Sequence, residues 1–252
     1  LGSRDCMKKE YSMKKYIYHG KLHLTMENTE ERLSVGSSFI DDFLNGGYEK
    51  DIITTIYGPA SSGKTTFCLL ACISAVKQGK KVIFIDTEGG FSISRFKQLC
   101  DEEGVLENIF ILKPTNFQEQ NQSITRLNNM INEHVGLIVV DTIGMLYRVE
   151  YGKKSNIRDV NNLLSQQINL LIEITRKHNI PVLLTNQVYS DFEIKDAVKI
   201  VGGDLINYAS KCMIELKKAK GSVRGAVLRK HRSLPEKNIA FKIVEKGFEM
   251  AD

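Results

Sequence analysis

The chain has 252 residues, 42% of them hydrophobic and 26% charged, with a formal net charge of +5. That balance excludes fibrous and disordered classes and leaves room for one α/β domain whose core needs no disulfide or metal staple. Five cysteines stand scattered without a CxxC pair, which excludes a disulfide framework and a zinc ribbon and points to a reducing cytoplasm.

Cys68 and Cys72 would share a helix face, but no further ligands stand at matching spacing, so both read as small buried apolar residues. No apolar run approaches the roughly 20 residues of a membrane span, and the expectation is a cytoplasmic protein with no membrane partner. Charge is unevenly placed: from Lys211 to Arg232 the basic residues far outnumber a single acid, Glu215. Such a run suits either a polyanionic partner, such as nucleic acid, or a solvated sheet face.

In chain order, residues 1–32 read as a polar N-terminal extension. It starts at Leu1 with "LGSRDC", a cloning remnant or an upstream segment, and Met7, Met13 and Met26 are possible starts. Residues 33–252 read as one domain. "LSVGSSFIDDFLNGGY" predicts a short helix from Phe39 to Leu44 closed by Gly46 and Gly47. "DIITTIY" is a β-branched strand that enters a glycine loop, and "TTFCLLACISAVKQG" follows as a helix ending at Gly79. "KVIFIDTE" is an apolar strand with acids at its end, "SISRFKQLCDEEG" a helix, "NIFILKP" a strand, and "FQEQNQSITRLNNMINEHV" a polar helix.

"GLIVVDT" is a further strand ending in an acid, and "YRVEYGKKSNIRD" reads as a basic loop. Val160, Leu163, Leu164, Ile168, Leu171, Ile172 and Thr175 recur at helical spacing up to His178, and "IPVLLTNQV" is another buried strand. Apolar strands that alternate with helices predict a mostly parallel sheet covered on both faces. After Lys211, "KCMIELKKAKG", "VRGAVLRKHR" and "NIAFKIVEKGFEM" read as strands with no helix between them, an antiparallel extension of that sheet.

Gly58, Gly63, Lys64 and Thr65 in "GPASSGKTT" satisfy G-x-x-x-x-G-K-S/T. From Gly58 through Pro59, Ala60, Ser61, Ser62 and Gly63, small residues let consecutive backbone N–H groups turn toward one phosphate chain, and the helix that follows adds its positive end. Lys64 reaches the terminal phosphates, Thr65 ligates Mg²⁺, and Thr66 completes the loop. The expected cofactors are ATP and Mg²⁺. Hydrolysis needs a second acid at the metal and a group that orients water. Asp141, after four apolar residues, is the metal-side carboxylate. Glu88 is the candidate for activating water, although Asp86 points the same way along its strand and the pattern leaves that choice open.

"GPASSGKTT", "VIFIDTEGGF", "LIVVDT", "LLTNQV" and "VGGDLINYAS", in this order, resemble the ATPase core of the RecA-type recombinases, most closely its archaeal RadB branch. The likeness runs from about Leu33 to the C-terminus and implies an α/β RecA-like P-loop ATPase core. It implies that Glu88 rather than Asp86 polarises water, that Gln187 senses the γ-phosphate, and that Arg95 stacks on adenine. Pro235 of "LPE" would cover the base from a neighbouring subunit. Two loops would face DNA, single-stranded by preference: one with Arg148, Lys153, Lys154 and Arg158, the other with Tyr189, Lys195 and Lys199. Tyr147, Tyr151 and Phe192 stand beside these cations, a combination that holds single strands by charge and stacking.

The likeness further implies a role in recombination and repair as an accessory to the main archaeal recombinase, with slow ATP hydrolysis. A Holliday-junction resolvase and further copies of this chain are implied partners. The sequence departs from the full recombinases in lacking, before Leu33, an N-terminal helical domain and a Phe-x-x-Ala segment, and its second DNA loop is shorter. Lys230 or Arg232 reaching a nucleotide on a neighbouring subunit is one expectation, and plain DNA contact or solvent exposure is the other. The alternative function is that of a KaiC-like RecA-fold ATPase acting on proteins.

Overall fold

A computed structural model describes residues 11–18, 21–28, 32–153, 156–190 and 198–251. The chain divides into two compact units, Leu1–Arg32 and Leu33–Asp252. In the first, β1 (Tyr11–Tyr18) pairs antiparallel with β2 (Lys21–Asn28), Tyr18 opposite Lys21. This hairpin lies in the segment expected to be a polar extension without regular elements. Leu22, Leu24 and Met26 alternate with Lys21, His23, Thr25 and Glu27, the two-residue period of a strand.

Where the second unit begins, β3 (Arg32–Leu33) pairs with β4 (Tyr48–Glu49), and α1 (Ser38–Phe43) joins them in sequence. The main sheet is then built from β5 (Ile53–Gly58), α2 (Lys64–Lys77), β6 (Lys81–Asp86), α3 (Ile93–Leu99), β7 (Ile109–Leu112), α4 (Phe117–Met130) and β8 (Val135–Asp141). It continues with α5 (Met145–Gly152), α6 (Ile157–His178), β9 (Val182–Ser190), β10 (Val198–Ile200) and α7 (Gly203–Ala209). Four strands close the chain: β11 (Ser210–Lys218), β12 (Val223–Lys230), β13 (Lys237–Val244) and β14 (Gly247–Met250). The strand order is β14-β13-β12-β11-β5-β9-β8-β6-β7, with β10 on β9.

From β11 through β7 every neighbouring pair is parallel, and β12 to β14 add antiparallel strands. The C-terminal extension is therefore seated by a parallel strand, β11, before it turns antiparallel. The sheet is apolar on both faces because helices cover both. Phe67 and Leu69 of α2 pack with Phe84 and Val139 on one side, and Leu164 and Ile168 of α6 pack with Ile85 and Val140 on the other. Cys68 and Cys72 are fully buried on α2, as their spacing implied.

Two local expectations are corrected. Residues 147–152, read as a basic loop, are the body of α5, because Leu146 is buried and Tyr147 packs edge-on against Phe117 of α4 at 5.8 Å. The helix read through Gly104 stops at Leu99, where Cys100 turns extended (φ −150°, ψ 115°). Three consecutive acids, Asp101 to Glu103, follow it and supply no buried side chain to continue the helix.

Tyr48 lies fully inside with its hydroxyl unpartnered among the described residues. Burial first, then Cys68, pushes its phenol well above the ordinary range. An orphaned buried hydroxyl is a liability, so Tyr48→Phe should leave folding stability unchanged or raise it by about 1 kcal/mol, read as the urea midpoint. A loss of stability would mean that the hydroxyl has a partner.

Candidate nucleotide site and the adjoining groove

The sheet topology brings the singled-out residues to one edge. β5, β9, β8 and β6 are parallel, so the phosphate loop, Gln187, Asp141 and Glu88 all emerge at their C-terminal ends, where ligands bind in open α/β sheets. β9 lies between β5 and β8, with Gln187 level with Gly58. The loop conformation requires its glycines. A Cβ on Gly58 would sit 2.4 Å from the Leu216 carbonyl oxygen, and Gly63 caps α2 at φ 108°.

A cavity of about 340 Å³ brings together Ser61, Lys64, Thr65, Glu88, Asp141 and Gln187, with Ala60, Gly63, Thr66 and Ile243 completing its wall. Lys64 is buried and donates to the Gly58 and Pro59 carbonyls at 3.0 and 2.9 Å. Burial lowers its pKa, with Asp141 and Glu88 pulling the other way. Thr65 Oγ1 donates to Asp141 Oδ2 at 2.6 Å, and Thr185 Oγ1 donates to Oδ1. Burial raises the Asp141 pKa against both hydroxyls.

Asp86 and Glu88 have different tasks. Asp86 is buried and accepts from the backbone N–H groups of Gly90 and Phe91 at 2.9 and 3.1 Å, so both its oxygens fix the turn after β6. Glu88 faces the cavity, where its Oε1 accepts from Gln187 Nε2 at 2.7 Å and Thr142 Oγ1 at 2.9 Å. Thr142, Thr185 and Ile243 were not singled out from the sequence. For the two threonines the only signal was the hydroxyl directly after the acid of β8 or inside "LLTNQ", which has no meaning until the strands are in register, and for Ile243 there was none.

The residues fit Mg²⁺ and a polyphosphate. Among the described residues no cluster of three or more His, Cys, Asp or Glu could hold a metal alone. One hydroxyl and one carboxylate suit a magnesium ion that takes its remaining ligands from phosphates and water. Gly90 keeps the space open: a Cβ there would stand 3.5 Å from Thr65 Oγ1 and 3.6 Å from Asp141 Oδ2. Ser62 Oγ is buried in the loop without a partner among the described residues.

Arg95 and Pro235 do not line this cavity. Arg95 donates to the Val244 and Glu245 carbonyls at 2.8 and 3.0 Å and to Gln98, which ties α3 to the β13–β14 turn beside Ile243. Pro235 is exposed in the loop after β12. That loop lies at the opposite edge of the sheet from Gly58, because β12 runs antiparallel to β11. There Arg232 lies 2.6 Å from Glu49 as an ion pair and also binds Asp51, while Lys230 donates to the Asn207 carbonyl at 2.6 Å.

Beside the nucleotide cavity, two further hollows of about 380 and 400 Å³ share Arg148 and Val201. Gln187 lines the first, and Tyr147, Tyr151 and Tyr189 line the second. Gln187 thus borders both the phosphate cavity and this basic, aromatic groove. Lys153 pairs with Glu150 at 2.7 Å, and Arg158 is exposed on the first turn of α6. Lys154, Phe192 and Lys195 lie outside the described residues, as does the Lys199 side chain.

Strand order, phosphate loop and acids at one sheet edge define a RecA-like α/β phosphate-loop fold. The Rad51 family profile matches residues 28–251, and the chain belongs to that family. It is 42% identical over 220 residues to the DNA repair and recombination protein RadB of Methanobrevibacter smithii, covering 84% of this chain and 93% of that one. The RadB of Methanocaldococcus jannaschii is 41% identical over 216 residues, covering 84% and 100%. A crystal structure of the RadB recombinase superposes with a TM-score of 0.74 at 37% identity, over 87% of this chain and all of that one. No described helix is long and apolar enough to cross a membrane.

Proposed function

We propose that this chain is an ATP- and DNA-binding recombination and repair protein, an accessory to the main archaeal recombinase, with slow ATP hydrolysis. The observation that carries it is the place of Gln187, which bonds Glu88 in the phosphate cavity and borders the Arg148–Tyr189 groove. Its relatives' names as DNA repair and recombination proteins support the same reading.

In this reading the loop N–H groups and Lys64 hold the phosphates, while Thr65 and Asp141 hold Mg²⁺. The cation would offset charge on the phosphate oxygens. Glu88 orients the water that adds to the γ-phosphorus and takes its proton, as the bond to the ADP oxygen breaks. Gln187 turns toward the γ-phosphate and moves the groove with it, a nucleotide switch rather than a motor. Arg148, Arg158 and the tyrosines hold single-stranded DNA through phosphate charge and stacking. Pro235, far from its own phosphate loop, would meet only a nucleotide bound by another copy.

Fluorescence anisotropy of a labelled single-stranded oligonucleotide tests this. Binding should weaken as salt rises and change with ATP and Mg²⁺, and Lys64→Ala should lose the ATP effect while keeping basal DNA binding. No affinity even at low salt would remove DNA and leave a RecA-fold ATPase that acts on proteins.

A further inference from the structure

Both hydrogen bonds to Glu88 fall on one carboxylate oxygen. Oε1 accepts from Gln187 and from Thr142, and among the described residues Oε2 accepts none. The two donors differ in how firmly they are held. Thr142 is 1% exposed, and Thr87 grips its backbone: Thr87 Oγ1 donates to the Thr142 carbonyl at 2.7 Å and accepts from the Thr142 N–H at 2.8 Å. The Thr87 N–H in turn donates to the Asp141 carbonyl at 2.9 Å, which locks the ends of β6 and β8 together. Gln187, by contrast, sits on the rim shared with the groove.

We propose that Thr142 is a positioning residue for water activation: its hydroxyl holds Oε1 of Glu88 so that Oε2 alone accepts from the attacking water, whichever way Gln187 points. A hydroxyl has one proton to give, and that of Thr142 is committed to Glu88. The reason for two donors then becomes plain. Gln187 must leave Glu88 to reach a γ-phosphate, and a carboxylate held by Gln187 alone would lose its orientation at the moment it is needed. The Thr87–Thr142 pair keeps it, because both residues are fixed by strand ends and not by the groove. The inference rests on the hydrolysis reading above for its consequence, but its geometry stands apart from turnover.

Thr142→Val removes the hydroxyl at nearly constant volume, and Thr142→Ser retains it. Single-turnover ATP hydrolysis should fall about tenfold in Thr142→Val, the loss of one ordinary hydrogen bond. ATP affinity should stay within about twofold, because the residue does not touch the phosphates. Thr142→Ser should restore the rate. A valine variant at the wild-type rate, a serine variant as slow as valine, or an affinity loss that parallels the rate would each overturn the proposal. A second readout needs no turnover. In crystal structures with a non-hydrolysable ATP analogue, where Gln187 has left Glu88, the carboxylate should keep Oε1 on the hydroxyl in wild type and serine and rotate in valine, and an unmoved carboxylate in valine overturns it. A wild type that binds ATP without hydrolysing it would refute the hydrolysis reading, and the carboxylate comparison would still decide the role of Thr142.

Discussion

Replacing Glu88 by glutamine should lower single-turnover ATP hydrolysis by about 10³-fold, within the range for loss of a general base, while ATP affinity changes by less than about threefold. The substitution is selective because of how the carboxylate is held. Glutamine keeps a carbonyl oxygen where Oε1 accepts from Gln187 and Thr142, so the side chain stays in place. Its amide nitrogen takes the position of Oε2 and cannot receive a proton from water. Single-turnover assays run beside equilibrium nucleotide binding separate the two effects. A parallel loss of affinity would show that Glu88 supports the phosphate loop and does not act on water.

Asp141→Asn should have opposite effects on function and on folding. Affinity for ATP in the presence of Mg²⁺ should drop about 100-fold, close to the 3 kcal/mol of one lost charge-assisted contact. The nucleotide-free protein should become more stable at neutral pH. Burial raises the folded-state pKa of Asp141 above its ordinary value of 3.8, against the pull of Thr185 and Thr65. The folded state therefore holds this proton more tightly than the unfolded chain does. Below the ordinary value both states are protonated and the residue costs nothing. The penalty grows as pH rises through the interval between the two values and is complete above the raised one. Asparagine removes it, so the thermal midpoints of variant and wild type should diverge above that interval and converge in acid. A variant less stable than wild type at neutral pH would refute this account.

The phosphate loop was legible because its motif is contiguous, and Asp141 because an apolar strand can leave an acid only at its end. Asp86 and Glu88 could not be told apart by pattern, since residues two apart on a strand share a face. The tertiary turn decides which faces the cavity, as Gly90 and Phe91 donate to Asp86. The parallel sheet followed from strands apolar on both faces. Helix α5 did not follow, because its polar sequence is fastened by one buried leucine and an aromatic contact to α4. Thr142, Thr185 and Ile243 acquire meaning only through pairing across the sheet, and no local window contains it. The bonds of Arg95 to the β13–β14 turn are of the same kind, since they join residues about 150 apart in the chain.

The β13–β14 hairpin carries a further consequence. Ile243 stands over Gly63, where a Cβ would approach its Cδ1 to 3.1 Å, and Phe248 packs on Phe67 of α2 with ring centroids 4.6 Å apart. Ile243 also lines the cavity, so a wall of the site comes from a strand about 180 residues along the chain from the loop it covers. Loosening of this hairpin alone would uncover both the loop and Phe67, so a ligand held in the cavity and the anchoring of the hairpin would favour each other.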